Sequence, residues 1–139
     1  MVSNGKGYLI VSVIFTAYQF INNILAIVSI LYYPQGQNLF LSQGYSVTIS
    51  YYSGLGISIY LVIAVLSGLG IALGIFGFAS KKPSLIIMLV IAGIFEFIFN
   101  IGLLIINFGN NILSILIPLL VIIFAFLAFS KMKASMKTL

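Results

Sequence analysis

Leu85-Ile-Ile-Met-Leu-Val-Ile-Ala-Gly-Ile-Phe-Glu-Phe-Ile-Phe-Asn-Ile-Gly-Leu-Leu-Ile-Ile106 decides how the chain is read. The run is apolar over enough length to cross a bilayer, and Glu96 lies about halfway along it. Glu96 is also the one acidic residue in 139. A carboxylate at such a place costs roughly 2.5–3.5 kcal/mol on insertion scales. The side chain must therefore be neutral, hydrogen-bonded or turned toward a polar cavity, and the neighbouring helices have to provide for it.

Composition points the same way. The chain is 63% hydrophobic and 5% charged, whereas a soluble domain is about a quarter charged. It cannot cover a globule with polar surface, so its apolar faces need lipid or other protein against them. There is no Cys, hence no disulfide or thiolate chemistry, and no His, the commonest general base and metal ligand. Hydrolysis or group transfer would need a nucleophile–base pair or a metal set, and this inventory assembles neither. We expect no enzyme, cofactor or metal, and one domain over residues 1–139.

Working outward from the central run, four apolar segments predict an all-α protein with helices at about 8–31, 53–80, 84–106 and 112–130. The first, Tyr8 to Leu31, follows a short polar start carrying Lys6. It is too long for a secretory signal core and no small-x-small site ends it, so we expect an uncleaved first span. Residues 32–52 differ in kind: uncharged, rich in Tyr, Gln, Ser and Gly, they predict an ordered polar loop. Lys81-Lys82-Pro83-Ser84 is a tight basic turn, with Pro83 suited to the first turn of the next helix. Asn107 to Asn111 makes a further turn. Pro118 interrupts the fourth helix and predicts a kink. Residues 131–139 are expected to be a short basic tail.

The second helix contains an internal echo, Ser53-Gly-Leu-Gly-Ile57 and Ser67-Gly-Leu-Gly-Ile71. An offset of 14 residues keeps the two copies within about 40° of one face. Ala64, Ser67, Gly70, Gly74 and Gly77 continue a stripe of small residues, which lets helix backbones approach closely. No strand precedes the G-x-G strings and no Lys-Ser/Thr closes a P-loop, so phosphate-loop chemistry is not expected.

All six charged bases are lysines, and their positions set the topology. Lys6 precedes span one, Lys81 and Lys82 join two to three, and Lys131, Lys133 and Lys137 follow four. An up-down-up-down arrangement of two antiparallel hairpins puts all six on one side. In a cell membrane that is a positive-inside pattern with both termini cytoplasmic. Around nucleic acid it would line one surface with ammonium groups. Tyr8, Tyr32, Tyr33, Tyr51, Tyr52 and Tyr60 lie near span ends, as an interfacial aromatic belt requires.

Polar residues inside the spans carry the rest. Glu96 and Asn100 are an i, i+4 pair, and helix one presents Ser12, Thr16, Gln19 and Asn23 on one face, with Asn22 beside it. Helices one and three run parallel in this arrangement, so Gln19 and Glu96 should lie at similar depth. We expect a buried cluster of Gln19, Asn23, Glu96 and Asn100 with a neutral carboxyl, fixing helix register. Contact between subunits and an ion- or proton-transport site are the other roles open to Glu96. No second acid and no second inverted repeat accompanies it.

The lysine-only face (Lys6, Lys81, Lys82 and residues 131–137), the glycine-striped hairpin of Ser53 to Ile106 and the short turns give a chain that resembles the coat proteins of spindle-shaped archaeal viruses. The resemblance implies a self-assembling helical shell or coat subunit of a virion, built here from two hairpins and packed against copies of itself. The lysines would face double-stranded DNA and lipid is a further possible partner. The other expectation is a four-span integral membrane protein, a scaffold or small carrier, located in the cell membrane with both termini inside.

Overall fold

The computed structural model describes residues 5–32, 53–106 and 113–137. They form four long helices: α1 (Lys6–Tyr32), α2 (Ser53–Ala79), α3 (Ile87–Ile106) and α4 (Leu113–Lys137). A single 3-10 turn, Pro83–Ile86, leads into α3. Among the described residues there is no strand. The polar loop and the Asn107–Asn111 turn lie outside the described residues, apart from Tyr32, which closes α1.

Each helix packs on two others. α1 lies against α2 and α4, and α3 lies against the same two, so α1 and α3 face each other across the diagonal. The result is the expected pair of antiparallel hairpins closed into a four-helix bundle. All four helices are long and apolar enough to cross a membrane, with spans of 20 to 23 residues.

One boundary needs correction. Lys131, Lys133 and Lys137 are not on a separate tail, because α4 continues to Lys137. The reason is local and tertiary together. Lys, Ala and Met are good helix formers, and basic residues suit a helix C-terminus. Met132 is also buried in the core and pins that last stretch to the bundle. At the other end, α1 starts at Lys6, with Gly5 at a left-handed φ of +82° just before it.

The main apolar core sits toward the lysine end, where Leu9, Ile86, Leu89, Ala125, Ala128 and Met132 cluster. A smaller one surrounds Tyr60, whose ring meets Phe99 edge-on at 5.0 Å. Close helix approach rests on missing side chains. A methyl group on Gly74 would lie 2.7 Å from Leu89 Cδ1, and one on Gly70 would lie 3.3 Å from the Met88 carbonyl oxygen. The α2 stripe thus receives α3. Gly93 does the same for α3 against α4, where a methyl would stand 2.8 Å from Ile122 Cγ1 and 3.2 Å from Val121 Cγ1. Pro118, inside α4, is buried, and its carbonyl oxygen faces Gly93 at the same crossing.

Two glycines of α3 provide an internal comparison. Gly93→Ala overpacks the α3–α4 crossing and is expected to destabilise by about 1–3 kcal/mol. Gly102 has nothing within 4 Å of its would-be methyl among the described residues, so Gly102→Ala should be neutral or stabilise by about 0.5–1 kcal/mol through helix propensity. Thermal or denaturant unfolding in detergent, followed by circular dichroism, checks the opposite signs.

Candidate functional site

Helix α1 places its polar side chains inward. Ser12, Thr16, Gln19 and Asn23 are all buried, while Ile10, Ile14, Tyr18 and Ile21 are exposed. At 100° per residue these two sets lie on opposite sides of the helix. The helix is amphipathic in the reverse sense to one on a soluble protein, with its polar stripe in the core and its apolar stripe outside. The other three helices also expose large apolar residues, among them Val62 and Phe76 on α2, Ile98 on α3 and Phe126 on α4.

The inward stripe finds most of its partners inside the bundle. Thr16 Oγ1 donates to the Ser12 carbonyl at 2.8 Å, which satisfies the hydroxyl within its own helix. Ser12 Oγ donates to the Val121 carbonyl of α4 at 3.2 Å. Deeper along α1, Asn23 Nδ2 donates to Glu96 Oε1 on α3, and Asn100 Nδ2 donates to Glu96 Oε2 at 3.3 Å. Glu96 is 3% exposed. Both carboxyl oxygens therefore accept from amides, one in the same helix a turn away and the other across the diagonal.

The expected cluster needs one adjustment. Asn23, Glu96 and Asn100 are joined by hydrogen bonds, whereas Gln19 is buried beside them in sequence with its Nε2 unpartnered among the described residues. The depth match of α1 to α3 thus falls on Asn23, one turn beyond Gln19. Ser67 combines two roles that the sequence did not separate. It belongs to the small stripe of α2 with buried Ala64, yet its fully buried Oγ also lacks a partner among the described residues. Ser12 reaching α4 was a further contact missed, although its place on the polar face of α1 was the signal for it.

The six lysines are all exposed and gather at one end. Contacts tie their helices together there: a methyl on Gly5 would lie 2.8 Å from the Ala128 carbonyl oxygen and 3.2 Å from Lys131 Cβ. Leu9, Ile86 and Met132, which adjoin the three lysine groups, share one core cluster. Lys133 Nζ stands 5.6 Å from the Phe129 ring centroid, a cation–π distance.

No protein-family model, curated protein or solved structure matches this chain.

The hydrogen-bond pattern separates residues that composition alone treats alike. Asn23→Leu strands Glu96 Oε1 and should cost about 1–3 kcal/mol. Gln19→Leu removes a donor that has no partner among the described residues, so it should be near neutral or stabilising. Glu96→Gln keeps one acceptor and one polar group and should retain the fold, while Glu96→Leu should loosen it more. A double-mutant cycle on Asn23 and Glu96, read from unfolding midpoints, should show coupling of about 0.5–2 kcal/mol, and Gln19 with Glu96 little.

Proposed function

We propose that this chain is a non-enzymatic structural protein that works as a four-span bundle embedded in a membrane, with both termini and all six lysines on the cytoplasmic side. The observation that carries the reading is the reversed amphipathicity of α1: Ser12, Thr16, Gln19 and Asn23 inward, Ile10, Ile14, Tyr18 and Ile21 outward. Water would select against that arrangement and hydrocarbon selects for it. The gathering of lysines at one end supports the orientation through the positive-inside rule. A scaffold fits better than a carrier, because Glu96 already has amide donors on both oxygens and acts as a lock between α1 and α3.

A second reading, a coat subunit packed against copies of itself with the lysines toward DNA, is favoured by the charge pattern. The one side-chain carboxylate is buried within the bundle, leaving the lysine end without an acidic residue to oppose a polyanion. In that setting copies of the chain would cover the apolar flanks.

The two readings differ in what the protein associates with. For the membrane protein, expressed chain should stay in the membrane fraction after alkaline washing and purify in detergent as a monomer or small oligomer. Reporters fused beyond Lys137 should score as cytoplasmic. Ordered lipid-free particles in electron micrographs, released without detergent, would overturn this in favour of the coat.

A further inference from the structure

α2 ends in a backbone turn that a lysine fills at an energetic cost. Lys82 N–H donates to the Gly77 carbonyl at 2.7 Å and Lys81 N–H donates to the Phe78 carbonyl at 3.3 Å. This is the paired closure of a Schellman motif, with Lys81 at its C′ position and φ at +59°. Glycine is the usual residue there, since an L side chain in the left-handed region crowds its own backbone. Lys81 is the single non-glycine residue with positive φ among those described. The chain uses glycine freely elsewhere, 13 times in all, and Gly77 in this same turn leaves the gap through which the Lys82 carbonyl approaches α2. Strain retained at one exposed residue suggests that its side chain is needed.

What the side chain adds is charge beside more charge. A cation at a helix C-terminus is favourable for the macrodipole, which accounts for one lysine at the end of α2. It does not account for Lys6 from α1 and Lys131, Lys133 and Lys137 from α4 meeting Lys81 and Lys82 at the same end, all of them exposed. The apolar flanks begin directly beneath. Ile10, Phe76, Ile87 and Phe126 are exposed on the four helices within a turn or two of the nearest lysine. The ammonium groups thus rim an apolar belt, which is where headgroup phosphates lie when hydrocarbon covers that belt. Duplex DNA at the lysine end would meet the ammonium groups and leave this apolar belt uncovered.

We propose that the lysine end is a docking surface for anionic phospholipid headgroups, with Lys81 kept on a strained backbone to serve it. The proposal rests on the membrane-embedded reading and adds to it a preferred lipid class and a residue. Lipid preference and backbone strain can be measured apart, because Lys81→Ala and Lys81→Gly remove the same charge and differ in conformational freedom.

The full chain in detergent is titrated with phosphatidylglycerol and with phosphatidylcholine, and bound lipid is counted by native mass spectrometry. The unaltered protein should retain phosphatidylglycerol preferentially. Both Lys81 variants should bind it about fivefold more weakly, the effect of one lysine at an anionic surface. Added salt should weaken the preference. In thermal unfolding Lys81→Gly should melt higher than Lys81→Ala. Equal binding of the two lipids by the unaltered chain, or unchanged phosphatidylglycerol binding by both variants, overturns the docking surface. Equal melting of the two variants overturns the strain. Duplex DNA displacing phosphatidylglycerol in the same titration overturns the lipid partner in favour of nucleic acid. Failure of the membrane reading has a different signature, a chain that does not enter detergent micelles or reconstituted vesicles at all.

Discussion

The hydrogen bond from Asn23 to Glu96 bridges α1 and α3, the diagonal pair of the bundle, with Asn100 of α3 holding the other carboxyl oxygen, and the other helices are arranged around that bridge. A carboxyl in an apolar interior has few tolerable neighbours, and leaving one oxygen bare costs more than an average hydrogen bond gains. Rotating α1 by one residue in the sense that brings Ile24 into the place of Asn23 would swing the amide through 100° and present an apolar side chain to Glu96. Apolar packing alone would not punish that slip severely, because helices with apolar residues on most sides have many similar ways to pack. The amide–carboxyl contact discriminates among them. Since α2 and α4 each pack on both diagonal helices, fixing α1 against α3 restricts all four.

Small and polar groups are prominent in the interior beside Leu9, Ile86, Leu89, Val121 and Met132, and large apolar side chains cover the exterior. Ala64, Ser67, Ala92, Ala125 and Ala128 are buried, along with the α1 polar stripe, whereas Ile, Leu, Val and Phe are prominent outside. Between helices already surrounded by hydrocarbon there is little hydrophobic gain in association, so close packing and polar contacts have to supply cohesion. Gly74 against Leu89 and Gly93 against Ile122 provide the first. Ser12 to Val121 and Asn23 to Glu96 provide the second. Both devices serve the same four-helix contact, one by shortening the distance between backbones and the other by choosing the register.

Much of this was legible in the residues. Four apolar runs separated by turn chemistry identify the helices, and six lysines in three groups identify the common end. The polar face of α1 was visible as Ser12, Thr16, Gln19 and Asn23 recurring at helical spacing, and the α2 stripe as recurring Gly, Ala and Ser. Depth across the bundle was not legible to better than a turn. Counting to the middle of each helix matches Gln19 with Glu96, but the relative height of two diagonal helices is set by how glycines such as Gly70 and Gly74 seat α3 against α2, which no single helix reveals. The extent of α4 escaped for a related reason. Lysine spacing reads as a solvated tail until Met132 is seen buried among Leu9, Ile86 and Ala128.

The choice of glutamate, when glutamine would carry less risk in an apolar setting, follows from the donors around it. Asn23 and Asn100 approach different oxygens of the same side chain, one from each of two helices. A carboxylate accepts on both oxygens, and a neutral acid keeps lone pairs on each. A glutamine would offer one carbonyl oxygen and one amide, so one of the two asparagines would have to turn its own oxygen inward. Asn100 is one turn along the same helix, whereas Asn23 reaches across from α1, where its oxygen and its amide share a single buried position. A carboxyl thus accommodates both amides without asking either to turn. A single acid suffices for this, because its contribution is an acceptor on each side at one depth, and a second at another depth would fix a competing register.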